Sequence, residues 1–169
     1  MKRREHLAMI AHGMGIIFEL LGLITLTPFI VLVLYREWSM ILPMASVFLT
    51  FFILGFLIKK MPHYESPPPL SVTLVAVAIT WMVVAIIGSL PFILGIHMSV
   101  TDSIFESMSG WTGTGYSVMT SLDTSPHVLI FWRSFMQWIG GIGVISFSIA
   151  LMSRSGLTQF RLYRSEGRP

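Results

Sequence analysis

Threonine and glycine alternate in the string Thr112-Gly113-Thr114-Gly115-Tyr116. The chemistry such a string offers is coordination by oxygen. Glycine reaches backbone angles that other residues avoid, so successive carbonyls can face the same way. Carbonyl oxygens turned toward an axis replace the water shell of a dehydrated cation, and the threonine hydroxyls offer further oxygen ligands. The competing reading is a glycine-rich outer loop that merely turns the chain, and the string alone does not separate the two.

Charged residues in apolar surroundings are the next candidates. Arg133 lies near one end of a long apolar run, where a charge is usually paired or faces a cavity. Glu106 is the partner its position suggests, and the pair would brace the short helix that carries Glu106 against the last span. An Arg133 that snorkels to the interface is the equal alternative. Glu19 is an acidic residue deep in the first apolar run, where a carboxylate is by default a functional candidate; Lys2, Arg3 and Arg4 are too far along a helix to reach it, so a protonated or helix-facing carboxyl is the alternative of at least equal weight. Gly140, Gly141 and Gly143 fall mid-run, where small residues permit close helix packing; a hinge or gate is the functional rival. Gly13, Gly15, Gly22 and Gly55 read as packing positions. His12, His97 and His127 form no cluster at metal-ligand spacing.

Several chemistries are excluded. The chain has no cysteine, hence no disulfide or thiolate site. It lacks a nucleophile with a base, a phosphate-cradling motif and a metal cluster, so neither an enzyme nor a cofactor is expected. No feature suggests nucleic-acid binding.

The elements that must position these residues follow from hydropathy. Of the 169 residues, 54% are apolar and 11% charged, well below the roughly one quarter charged in soluble domains. The apolar residues gather in runs near 7–35, 41–58, 70–94 and 128–152, each near or above the length needed to cross about 30 Å of hydrocarbon. An all-α integral membrane protein with about four transmembrane helices is expected, with membrane lipid as its surroundings. The first run is too long for a signal peptide and is read as a retained span, trimmed or bent near Pro28. Trp38 and Trp132 are candidate interfacial anchors.

Basic residues set the expected orientation. Lys2 to Arg4, Lys59-Lys60, and Arg154, Arg161, Arg164 and Arg168 mark the cytoplasmic side, which places both termini there. Residues 95–127 then face outward, with Asp102, Glu106 and Asp123 and no lysine or arginine. Pro67 to Pro69 favour an extended connector and divide the chain into a two-helix hairpin, 1–66, and a second unit, 67–169.

Within the outward segment, Ile104, Phe105, Met108 and Trp111 recur at helical spacing in a stretch too short to cross the bilayer. A re-entrant half-helix is expected. Thr101-Asp102-Ser103 supply N-cap candidates, and Ser103 with Glu106 fits a capping box. From Ser103 to Trp111 such a helix reaches roughly 13 Å. Its C-terminal, partially negative end would point at the bilayer middle, where it favours a cation. The string from Thr112 then returns as non-helical backbone, tolerated at membrane depth only where protein or water satisfies it.

The string Thr101-Asp102-Ser103-Ile104-Phe105-Glu106-Ser107-Met108-Ser109-Gly110-Trp111-Thr112-Gly113-Thr114-Gly115, followed by Trp132-Arg133-Ser134-Phe135-Met136-Gln137-Trp138-Ile139-Gly140-Gly141-Ile142-Gly143-Val144, resembles the first pore repeat of the Trk/Ktr/HKT potassium transporter superfamily. The two preceding spans, and Leu162-Tyr163-Arg164-Ser165-Glu166 after the last, are similar to the TrkH branch. The resemblance implies a helix, a pore helix with a filter strand, and a second helix, as one of four repeats around a potassium pathway. It implies that carbonyls around Thr112, Gly113, Thr114 and Gly115 bind potassium, with Gly115 at the key glycine.

Gly113 and Tyr116 depart from the usual first-repeat residues toward the TVGYG string of tetrameric channels. One repeat cannot enclose a pore, so further repeats are implied, either C-terminal ones or identical copies in a homotetramer. A non-conducting membrane subunit that docks with a complete pore protein is the alternative. A cytosolic nucleotide-binding regulatory ring is a partner implied by the resemblance alone, and the implied location is the cell (inner) membrane.

Overall fold

The computed structural model describes residues 3–62, 69–120, 122 and 124–166, with side chains between 7 and 152. The expectations placed on Lys2, Pro67, Pro68 and Asp123, on the side chains of Arg3, Arg4, Arg154, Arg161 and Arg164 and of the 162–166 string, and on Arg168, lie outside these residues, as does the 66/67 boundary.

Seven α-helices run through the described residues: α1 (Arg3–Ile24), α2 (Pro28–Tyr35), α3 (Ile41–Lys59), α4 (Leu70–Gly88), α5 (Leu90–Ile96), α6 (Val100–Thr112) and α7 (His127–Glu166). They make four spans long and apolar enough to cross a membrane, at Leu7–Tyr35, Trp38–Lys59, Leu70–Ile96 and His127–Met152. Apolar runs of this length become helices because every backbone polar group must find its partner within the segment.

Two of the spans are broken. Proline at the first helical position of α2 ends the α1 ladder, and the chain steps across Thr25 to Thr27 through tight three-residue bonds. The third span breaks in the same way at Ser89, ahead of Pro91, a break not expected from the sequence.

Helices α1 and α3 pack closely as an antiparallel pair. A Cβ on Gly15 would lie 2.5 Å from the Lys59 amide nitrogen, and one on Gly55 would lie 2.5 Å from that of Glu19. Gly22 meets Phe52 in the same way, whereas Gly13 faces open space. This close approach sets the Lys59 ammonium 2.7 Å from the Glu19 carboxylate. The expectation for Glu19 is therefore corrected: its partner comes from the other arm of the hairpin.

Helices α1 and α3 share one apolar core with α4, α5, α6 and α7. Phe18 and Phe51 are buried together with Val84, Phe92, Trp111, Trp132 and Met136, and the Phe51 and Trp111 rings meet edge to face at 6.5 Å.

A second joint is polar. Glu37, in the turn after α2, accepts from the amides of His127 at 2.6 Å and Val128 at 2.9 Å. Its carboxylate also meets the His127 ring at 2.9 Å, and Tyr35 stacks on that ring at 4.0 Å. Burial alone would raise the Glu37 carboxyl, but the Val128 amide, the His127 ring and the His127 amide together hold it below the ordinary glutamate value.

Candidate functional site

Helix α6 spans 13 residues, roughly 20 Å at 1.5 Å per residue, too short to cross the hydrocarbon. Its cap is Ser99, whose hydroxyl accepts the Asp102 amide at 3.1 Å. The expected capping box at Ser103 and Glu106 is thus corrected: both are buried inside the helix. The buried residues of α6 are mostly polar or small, Ser103, Glu106, Ser107, Ser109 and Gly110, with Trp111 the one large apolar side chain among them, while Phe105 is 47% exposed. Hydroxyl and glycine positions let the neighbouring helices approach. Ser107, Trp111 and Met136 crowd Gly88 of α4, and the Trp132 indole donates to the Gly88 carbonyl at 3.0 Å. Trp132 is fully buried, so it is not the interfacial anchor expected; Trp38 is 55% exposed.

After α6 the chain turns back without entering any ladder, and no β-strand occurs among the described residues. Gly113 and Gly115 hold φ of 72° and 77°, the left-handed region that costs other residues roughly 1–2 kcal/mol. The expected filter segment is therefore irregular, glycine-bent backbone. Ser109 anchors its inner side: the Ser109 carbonyl accepts from the Thr114 amide at 3.1 Å, and the Ser109 hydroxyl donates to the Tyr116 carbonyl at 2.6 Å. The Thr112 and Thr114 hydroxyls lie 3.3 Å apart.

Glu106 and Arg133 anchor the other side. Glu106 is completely buried, and Arg133 Nε donates to its Oε1. The second oxygen, Oε2, accepts from the Ser117 hydroxyl at 3.1 Å and the Val118 amide at 3.0 Å. Arg133 Nη2 reaches the Gly115 carbonyl at 3.2 Å. Of the two readings for Arg133, the structure takes the paired one, and the pair ties α6, α7 and the returning segment together.

Of the four carbonyls expected to face an ion, that of Gly115 accepts from Arg133. No donor among the described residues reaches those of Thr112, Gly113 and Thr114. These three residues, with Gly115 and Tyr116, are exposed.

The mid-span glycines differ from one another. A Cβ on Gly140 would overlap the Trp111 carbonyl, one on Gly143 would touch the Trp81 ring at 3.5 Å, and one on Gly141 would meet nothing within 4 Å. Glu37 and His127 were not singled out from sequence as a joint; they are 90 residues apart, and no local pattern links them.

Relatives give this arrangement a context. Residues 44–168 match the TrkH family, described as a cation transport protein. The chain is 39% identical over 160 residues to an uncharacterized cation transporter of Methanocaldococcus jannaschii, covering 94% of this chain and 33% of that protein. It is 34% identical over 158 residues to the Trk system potassium uptake protein TrkH of Vibrio parahaemolyticus, covering 90% of this chain and 32% of that one. The crystal structure of the potassium transporter TrkH from Vibrio parahaemolyticus matches with a TM-score of 0.80 and 27% identity, over 94% of this chain and 37% of the other. The chain thus spans about a third of the length of the curated relatives it matches. Four membrane-length helices, a half-helix between the last two, and this pattern of matches together place the chain in the TrkH family of cation transport proteins.

Proposed function

We propose that this chain supplies one helix, pore-helix and helix repeat of a potassium uptake pathway in the cell membrane, with its termini on the cytosolic side. The observation that carries the reading lies where α6 ends: three successive carbonyls, of Thr112, Gly113 and Thr114, lack a donor among the described residues, beside glycines at positive φ. Unsatisfied carbonyls at membrane depth are costly, and a dehydrated potassium ion is a partner that offsets that cost. The Gly115 carbonyl is shared with Arg133. Glu106 neutralises the guanidinium, which would otherwise repel a cation nearby. Names of relatives support potassium as the cargo.

A single repeat lines only part of a pathway. The remaining wall comes from further repeats, consistent with relatives about three times as long; the same exposed face would serve a ring of identical copies. Residues 1–66 form an accessory hairpin and 67–169 the repeat.

The test is growth of a potassium-uptake-deficient cell at low potassium, with the intact transporter carrying this repeat or its Gly115→Asp variant. Growth is expected for the parent alone. Equal growth of both removes residues 112–116 from the pathway.

A further inference from the structure

The carboxylate of Glu37 caps a helix that belongs to the other unit of the chain. Its Oε1 takes the His127 amide and meets the His127 ring, and its Oε2 takes the Val128 amide. Residue 126, just ahead of α7, is a proline, which carries no side-chain oxygen to cap with, and a helix leaves its first amides without internal partners. The partner supplied comes from the turn after α2. That turn is itself fixed. Arg36 closes α2 in the left-handed conformation at φ 56°, the Glu37 amide bonds back to the Leu32 carbonyl at 3.0 Å, and Leu32 is buried in one cluster with Val128 and Leu129.

Six positions along α7, about 9 Å at 1.5 Å per residue, stands Arg133, which holds Glu106 and the Gly115 carbonyl. The axial position and rotation of α7 decide where that guanidinium sits. We propose that Glu37 is a positioning residue for ion selection: through the first turn of α7 it sets Arg133 against residues 115–118, so the hairpin at 1–66 tunes the ion-lining segment. This rests on the reading of 112–116 as that segment.

The experiment is paired potassium and sodium uptake by the intact transporter in liposomes, comparing the parent with Glu37→Ala, Glu37→Gln and Gly115→Asp. Glu37→Ala is expected to lower the potassium-over-sodium ratio and raise the half-saturating potassium concentration by about fivefold, the order seen for coupling through packed networks. Glu37→Gln keeps one acceptor oxygen and falls between.

If maximal uptake drops while ratio and half-saturation stay parental, Glu37 is only a structural cap and the proposal is overturned. Should the alanine protein fail to insert, the glutamine protein is read by the same criterion. If Gly115→Asp abolishes uptake and both Glu37 variants keep the parental ratio, the Glu37 proposal alone falls. If Gly115→Asp transports like the parent, the ion-lining reading falls and takes this one with it.

Discussion

The Arg133 guanidinium lies 3.2 Å from the carbonyl oxygen of Gly115, so a side chain of the last span holds the backbone at the second left-handed glycine of the returning segment. The same guanidinium is neutralised by Glu106, which is wholly buried. A charge pair in such surroundings is less a source of net stability than a device for fixing a geometry, because desolvation offsets much of the attraction.

Removing one partner leaves the other without its counter-charge, Glu106 fully buried and Arg133 half-buried. Glu106→Gln and Arg133→Gln are each expected to destabilise the protein by about 3–5 kcal/mol, and the double variant by clearly less than the sum. Thermal denaturation in detergent across the double-mutant cycle measures this. Strict additivity would show that the two side chains act independently.

Gly140 and Gly141 should part company. Alanine at Gly140 drives a methyl into the Trp111 carbonyl, an overpacking cost of about 1–3 kcal/mol. Alanine at Gly141 meets open space and gains helix propensity of up to about 1 kcal/mol. Melting temperatures that fall for Gly140→Ala and hold or rise for Gly141→Ala bear this out; equal shifts would mean that the α6–α7 contact is looser than described.

At Gly113 the obstacle is conformational, since φ is 72° and nothing crowds a Cβ. Gly113→Ala is expected to cost about 1–2 kcal/mol. Gly113→Asn should cost less, because asparagine visits the left-handed region more readily. A ranking of valine above asparagine in stability would contradict the backbone assignment.

Acid should undo the joint at Glu37. Its carboxyl is depressed in the folded protein, so its contribution is complete above the ordinary glutamate range and is lost as pH falls through the depressed value. Parental thermal stability is therefore expected to fall on acidification below that range, and Glu37→Gln should flatten this limb. Superimposable acid limbs for parent and variant would remove Glu37 from it.

The four spans were legible because an apolar run of membrane length has few alternatives. The half-helix is legible as an element, but its start is not: Ser99, Thr101, Asp102 and Ser103 are all good caps by type, and only the bond from the Asp102 amide to the Ser99 hydroxyl decides among them. Pro28 announced its break, while Pro91 carried the same signal inside a run that reads as continuous. Trp132 has the composition of an interfacial anchor, yet Gly88 leaves it room and an acceptor. Glu19 finds Lys59 40 positions away, a pairing that only the antiparallel hairpin creates. The tie between Glu106 and Arg133 was within reach because a charge near the end of an apolar span calls for a partner and the half-helix offers one; that between Glu37 and His127 depends on tertiary docking alone.

Trp111 is gripped from two sides. Its indole presses on the backbone of Gly88 and its carbonyl on that of Gly140, with no side chain at either place to yield. The half-helix, the end of α4 and α7 as far as Gly140 are therefore locked together as one packed body. Any bending of that last span is confined to the turns beyond Gly140, where Gly141 has space around it and Gly143 rests only lightly on Trp81.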